Sequence, residues 1–340
     1  MDHRRVPLCH RWPEITSIPS PTVSHPEIIR SAALGSSDTS TGSPAPSAAA
    51  SNASVYRFEV GDFECAVISD GSTFFPSRPH FGTDAANDKE VHAILADHSL
   101  PLEQVRFYFN VLFVNTGRDL ILIDSGAGKN FGDACGKIAA GLSMLGHAPE
   151  QISAVHLSHA HFDHFGGLLT SEGKPAFPNA LHLVAKEERD FWMSKDPDQG
   201  QAFYDQAQGN IFVSQAREVF EALPFTTYRD GDALPGGVLP EAAPGHTPGH
   251  CIYRVRSRGE ELLHLSDLVT NFAVSFDKAD WPFIFDCEPA RAVASRKKIL
   301  AQGSGSKIRA FGNHLPFPGL GRIRPEGPAL LRWEAEPWVF

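Results

Sequence analysis

His159, His161, Asp163 and His164 in LSHAHFDHFGG, His246 in PGHTPGH, Asp267 in HLSDL and His314 in GNHLPFPGLG are the residues whose types and spacing can do chemistry. Imidazoles and carboxylates are good ligands for zinc, and a catalytic site leaves coordination positions open for water and substrate. A histidine on its own is most often an ordinary core or surface residue. Three histidines and an aspartate packed into residues 159–164, with Gly166 and Gly167 just behind, are far too dense for that reading. Such a set is what two adjacent divalent cations need.

Rigid elements must bring these stretches together. Residues 1–54 are small, polar and punctuated by proline in SSDTSTGSPAPSAAASNAS, too poor in large apolar groups to offset the entropy of ordering. They are expected to be a disordered or arm-like leader. The ordered domain is expected over 55–340. VYRFEVGDFECAVISDG alternates as two strands around Gly61-Asp62, and VRFYFNVLFVNTG and DLILIDSGAG give two more. The run in DLILI suits a strand covered on both faces. A helix is expected over Asp133–Leu145, with Ala134, Ile138, Leu142 and Leu145 on one face and Gly146 as its stop. ISAVHLS is a buried strand that delivers the chain into the histidine cluster. LHLVAKEERDFWMSK reads as strand then helix, and FYDQAQGNIFVSQAREVFEAL as a longer helix. Strands resume in GVLPEAAPG, CIYRVRS and ELLHLSDLV. A helix over Pro289–Gln302 turns Ala290, Val293 and Ala294 to the core, and KIRAFGNHL is the last strand. Two groups of strands with helices between them, and candidate ligands at strand ends, fit an α/β fold built as a four-layer αββα sandwich.

Bulk properties narrow the function. At 340 residues, 42% hydrophobic and 21% charged, the chain has ample capacity for a buried core. A net charge of −10 leaves no basic footprint for nucleic acid, which weakens a nuclease reading. Cys9, Cys65, Cys135, Cys251 and Cys287 are odd in number and lack a C-x-x-C pair, as reduced, buried thiols would be. No stretch approaches the ~20 apolar residues that span a bilayer. Proline, serine and histidine interrupt the residues after Arg4 and Arg5, so no secretory signal is recognisable and a cytoplasmic protein is the expectation.

LSHAHFDHFGG resembles the H-x-H-x-D-H signature of the metallo-β-lactamase superfamily, and PGHTPGH resembles its next ligand loop. Within that superfamily the chain is most similar to the methyl parathion hydrolase group. The similarity rests on VYRFEVGDFECAVISDG, NVLFVNTGRDLILIDSGAG, KEERDFWMSKD, the helix with Arg296-Lys297-Lys298, and HLPFPGLGRIRPEG, and it covers residue 55 to the C-terminus. The resemblance implies the sandwich fold with two Zn²⁺, or other divalent metals, at one edge. It implies that His159, His161 and His246 hold one metal, that Asp163, His164 and His314 hold the other, and that Asp267 bridges them. Asp163 and Asp267 are the expected catalytic carboxylates. The implied chemistry is hydrolysis: metal charge lowers the pKa of water from ~15.7 towards ~7, so that hydroxide attacks an electrophilic phosphorus or carbonyl carbon.

Further roles follow from the same likeness. His250, Asp70 and Asp124 would orient ligands through hydrogen bonds, although Asp70 and Asp124 also suit plain turn residues beside glycine. Phe131, Trp192 and Phe212 fall where the group carries an aromatic substrate pocket. Thr270 and Asn271 depart from the group near that pocket. Ser158 and Ser266 read as small packing residues, and His156 and His264 as satisfied core histidines. The substrate expected is a small, neutral, aromatic molecule: an organophosphate triester, an aryl ester or a lactone. The alternatives are hydrolytic dehalogenation of an activated chloroaromatic ring, or iron-dependent redox chemistry on the same fold. Iron members alter the first cluster or add a flavin domain, and here the cluster is full. Neither nucleic acid nor membrane is an expected partner. Family analogy allows a homodimer.

Overall fold

The computed structural model describes residues 54–78, 81, 87–195, 197, 206–306, 308–327 and 330–339. The expected leader therefore lies outside the described residues, Ser54 excepted. The first strands are β1 (Val55–Val60), β2 (Phe63–Pro76), β3 (Gln104–Asn115), β4 (Leu120–Ile123), β5 (Ala154–Leu157), β6 (Leu181–Ala185) and β7 (Phe225–Tyr228), neighbours in that order in one sheet. The second sheet follows the same rule with β8 (Val238–Ala242), β9 (Cys251–Ser257), β10 (Glu260–His264), β11 (Arg309–Phe311), β12 (Leu320–Pro325) and β13 (Leu331–Ala335). Val60 pairs with Phe63 across Gly61-Asp62, the hairpin turn expected there. The helices are α1 (Asn87–Asp97), α2 (Ile138–Leu145), α3 (Phe162–Phe165), α4 (Lys186–Met193), α5 (Gln206–Ala222), α6 (Val274–Asp277) and α7 (Pro289–Gly305).

Side-chain alternation produces the layers. Cys65 and Val67 of β2, Leu112 and Val114 of β3, and Ile121 and Ile123 of β4 face inwards. There they pack with Tyr253, Val255, Leu262 and Phe311 of the second sheet. The residues between them (Ala66, Ile68, Val111, Phe113 and Leu122) point the other way, onto Ile138, Leu142, Ala216 and Phe220 of α2 and α5. Ile252, Leu263 and Ala310 on the outer face of the second sheet meet Ile299 and Leu300 of α7. The result is helix, sheet, sheet, helix: the expected αββα order.

Three expectations fail locally. The Asp133–Leu145 helix begins at Ile138, because Gly136 adopts φ 83 and separates it from a single turn at Gly132–Ala134; Ala134 is exposed. In α7 the buried face is Ala292, Arg296, Ile299, Leu300 and Gly303, whereas Ala290 and Ala294 are exposed and Val293 is half-buried. KIRAFGNHL is not the last strand, since β12 and β13 extend the second sheet beyond it.

A bulge in β2 falls between Ser69 and Gly71 and leaves Asp70 as the extra residue. Gly71 sits there at φ 144, with Ala134 O only 2.0 Å from where a Cβ would be, so no other residue fits. Cys65, Cys135, Cys251 and Cys287 are buried. No helix among the described residues is long and apolar enough to cross a membrane.

Candidate metal centre

The candidate ligands all leave the ends of strands at one edge of the sandwich. Strand β5 leads through Ser158 into His159 and His161, and α3 carries Asp163 and His164. His246 lies in the loop after β8, Asp267 in a turn after β10, and His314 just after β11. His161 Nδ1 is 3.1 Å from His159 Nε2 and 2.9 Å from His246 Nε2. His314 Nε2 is 3.5 Å from Asp163 Oδ2, and His164 Nε2 is 3.8 Å from the same oxygen. Asp267 lies between the two groups. Its Oδ2 is 3.3 Å from His246, and its Oδ1 is 2.9 Å from His164 and 3.1 Å from His314. Potential ligand atoms lie within 4.8 Å of one another in three sets: His159, His161, His246; His159, His164, Asp267; and Asp163, His164, His314.

The outer hydrogen bonds decide which nitrogen of each ring faces the centre. His164 Nδ1 is 2.8 Å from Asp124 Oδ2, His246 Nδ1 is 2.9 Å from Asp286 Oδ1, and His314 Nδ1 is 2.7 Å from the Tyr108 carbonyl. Each of these acceptors takes an N–H, so each Nε2 is the nitrogen that faces the centre and can bind a cation once any proton on it leaves. His164 Nε2 and Asp267 Oδ1, close as they are, have no hydrogen-bond partner among the described residues. This donor set fits a divalent metal.

The electrostatics agree. Burial opposes charge on His164, yet the carboxylates of Asp267, Asp124 and Asp163 outweigh it and hold this ring well above its ordinary pKa. Burial likewise opposes charge on His246, but Asp267 and Asp286 raise it to about 9. His159 and His161 are pushed well below the usual value, by burial first and then by the neighbouring imidazoles His164 and His246 respectively. The carboxylates create a field that holds positive charge.

Asp124 leaves β4 in the left-handed region, at φ 65. It accepts hydrogen bonds from Ser158 N and Oγ and from Asn313 Nδ2, besides that from His164. His250 accepts from Asp267 N at 3.2 Å and bonds the Ala243 carbonyl, which holds the Asp267 turn in place. The Asp70 carboxylate accepts Gly128 N and Lys137 N and braces a loop, not a ligand. Ser158 and Ser266 are more than packing, because Ser266 Oγ donates to Ser158 Oγ, which in turn bonds Asp124 and faces His159 Nδ1 at 3.1 Å. His156 and His264 are buried between the sheets, but their ring nitrogens have no hydrogen-bond partner among the described residues. Burial drops them to about 3 and about 4, so both stay neutral.

Glu188 and Asp286 were not singled out in the sequence. Glu188, fully buried on α4, accepts Ala160 N, Trp192 Nε1, Thr247 Oγ1 and Gly249 N, and so clamps the two ligand loops together. Gly249 must be glycine there, for a Cβ would meet Glu188 N at 2.1 Å. No local signal marks Glu188 inside the charged run KEER.

Above the centre lies a pocket walled by Phe75, Phe107, Phe131, Phe162, Phe212, Phe283 and Phe285, with His161, Asp163, His246, Asp267 and His314 also lining it. Phe131 and Phe212 are among its walls. Trp192 does not line it: α4 turns this ring inwards, behind His161 at 5.8 Å, with its N–H on Glu188. Thr270 and Asn271 also stay out of the wall. Asn271 Oδ1 accepts Ala273 N and Val274 N at the start of α6.

The profile of the metallo-beta-lactamase superfamily matches residues 106–302. The chain belongs to the metallo-beta-lactamase superfamily. Among solved structures of this fold, AidC, a dizinc quorum-quenching lactonase in complex with a product, is 29% identical over 84% of this chain and 98% of its own, with a TM-score of 0.79. AbOPH, a hydrolase in the beta-lactamase superfamily, is 30% identical over 85% of this chain and 100% of its own, with a TM-score of 0.77. A probable metal-dependent hydrolase from Staphylococcus aureus, 18% identical over 83% of this chain and 100% of its own, shares the fold at a TM-score of 0.64. No curated protein matches. The superfamily read in the sequence stands, and with it a metal-dependent hydrolase. The methyl parathion hydrolase group is not named among these neighbours, which are a lactonase and hydrolases.

Proposed function

We propose that this chain is a dinuclear zinc hydrolase that opens a small, neutral lactone or ester. The observation that carries the reading is the position of a phenylalanine-walled pocket directly over seven converging ligand groups. The likeness to a dizinc lactonase over most of both chains supports it. His159, His161 and His246 would hold one cation, Asp163, His164 and His314 the other, and Asp267 would touch both. Cations held there supply Lewis acidity and bring the ionisation of water into the neutral range.

The protein's own residues do the rest. The phenylalanine walls take the apolar part of the substrate and exclude water, which strengthens every electrostatic interaction inside. No lysine or arginine lines the pocket among the described residues, so the cations themselves would supply its positive charge. Asp163 is the more open of the two central carboxylates, 15% exposed against 5% for Asp267. It can accept the proton that water gives up and return it to the leaving oxygen.

The same walls suit the aryl group of a phosphotriester or a chlorinated ring, so the substrates are to be compared side by side. Turnover of an acyl-homoserine lactone, an aryl ester, a nitrophenyl phosphotriester and a chlorinated aromatic nitrile is measured with wild type and His161→Ala. The reading expects lactone or ester hydrolysis that disappears in the variant. Turnover confined to the phosphotriester or the nitrile, or a fully active variant, contradicts it.

A further inference from the structure

Helix α7 carries an arginine where an apolar residue would be expected. Arg296 lies on the buried stripe between Ala292 and Ile299 and is 4% exposed. A buried guanidinium is tolerated only when its charge is paired and its N–H groups are satisfied. Arg296 is paired with Asp286, and each of its three nitrogens has an acceptor. Nε donates to Leu268 O at 2.8 Å, Nη1 to Trp281 O at 2.5 Å, and Nη2 lies 3.4 Å from Asp286 Oδ2. Each acceptor is one step from the centre. Leu268 follows Asp267, Trp281 opens the segment that bears Phe283 and Phe285, and Asp286 Oδ1 accepts the His246 N–H. The second oxygen of Asp286 is shared between Arg296 and Phe283 N, 2.9 Å away. One guanidinium nitrogen and a backbone N–H therefore both hold the second oxygen of the carboxylate that aims His246.

The other half of the centre is held differently. His164 leans on Asp124 at the end of β4, and Asn313 joins the same carboxylate. Arg296 reaches neither. We infer that Arg296 is a positioning residue for the His246 side of the centre, acting through Asp286, so that α7 sets the affinity of one metal position and not of the other. This rests on the two-cation reading above.

The test uses the full chain, stripped of metal and titrated with zinc against a chromophoric chelator, so that the two successive affinities are read without any assay of turnover. Wild type is expected to bind two ions. In Arg296→Gln one of them should weaken by about 10- to 100-fold, the range for a ligand that loses its outer partner, while the other keeps its wild-type value. Asp124→Asn should weaken the opposite ion, and the two changes combined should weaken both. In a His246→Ala background Arg296→Gln should change nothing further, because the residue it acts on is already gone. Should Arg296→Gln fail to fold, Arg296→Lys keeps the charge but cannot reach three acceptors at once, and the same selective loss is expected.

Thermal unfolding of the metal-free variants supplies the control. A lowered melting temperature with both zinc affinities intact makes Arg296 a packing residue and overturns the inference, and so does an equal weakening of both ions. If wild type binds fewer than two zinc ions, the two-cation reading falls and takes this inference with it. Two ions in wild type and unchanged affinities in the Arg296 variants overturn the inference alone.

Discussion

The space between the sheets and the edge where the ligands gather are equally buried, yet they are held by opposite means. Val67, Leu112, Ile121 and Val255 fill the interior with apolar surface, which stabilises without direction at roughly 25 cal/mol per Å². At the edge, His159, Asp124, His164, Asp267 and Glu188 are nearly as inaccessible, but all are polar. There each group needs a named partner: Asp124 for His164, Asp286 for His246, Asp267 between the two groups. An interior built on area degrades gradually. An edge built on pairing fails one function at a time, so damage to the two regions should be separable.

The largest effect is expected at the edge. His161→Ala should reduce hydrolysis by more than about 100-fold, beyond the range of changes in the outer partners, and release one ion per chain. Melting of the metal-free protein should hardly move, and a large fall there would blur the contrast. In the interior, Leu112→Ala should cost about 2–5 kcal/mol of stability by denaturant titration while the folded variant still binds its full metal complement. Loss of metal at unchanged stability would reverse the assignment. Asp124→Asn falls between the two, with a predicted loss of about 10- to 100-fold in metal affinity or activity.

The smallest effect is a pH dependence. In the metal-free fold, His246 is raised from 6.5 to about 9, despite its burial, by Asp267 and Asp286. A raised value means the protonated ring contributes stability that is complete below about pH 6.5 and lost as pH rises through about 9. Zinc needs the neutral ring and must displace that proton, so its affinity should climb over the same interval. A flat zinc affinity between about pH 7 and 9 would count against the carboxylate field described here.

The legibility of the chain in its sequence divides along chemical lines. The groups that converge at the edge stood out because HAHFDH and PGHTPGH crowd ligand types at spacings that structure alone does not require. The layering followed from alternation in runs such as DLILI. Glu188 and Asp286 were silent because an acid in a charged helical run, or just behind a pair of phenylalanines, is ordinary until a distant loop lands on it. The face of α7 was misjudged because a buried arginine inverts the rule that apolar residues mark the core side. Trp192 and the two phenylalanines show the same limit: an aromatic ring facing a pocket and one facing the core have the same sequence signature. The strands β12 and β13 escaped notice because arginine-rich segments with half-exposed faces look like a tail.

Equilibrium dialysis followed by metal analysis of the purified protein, with hydrolysis followed before and after exhaustive chelation, tests the central claim most directly. The account predicts two zinc ions per chain, activity that vanishes as they are withdrawn, and recovery when they are returned. A chain that holds no metal, or one that hydrolyses its best substrate equally well after chelation, would contradict it.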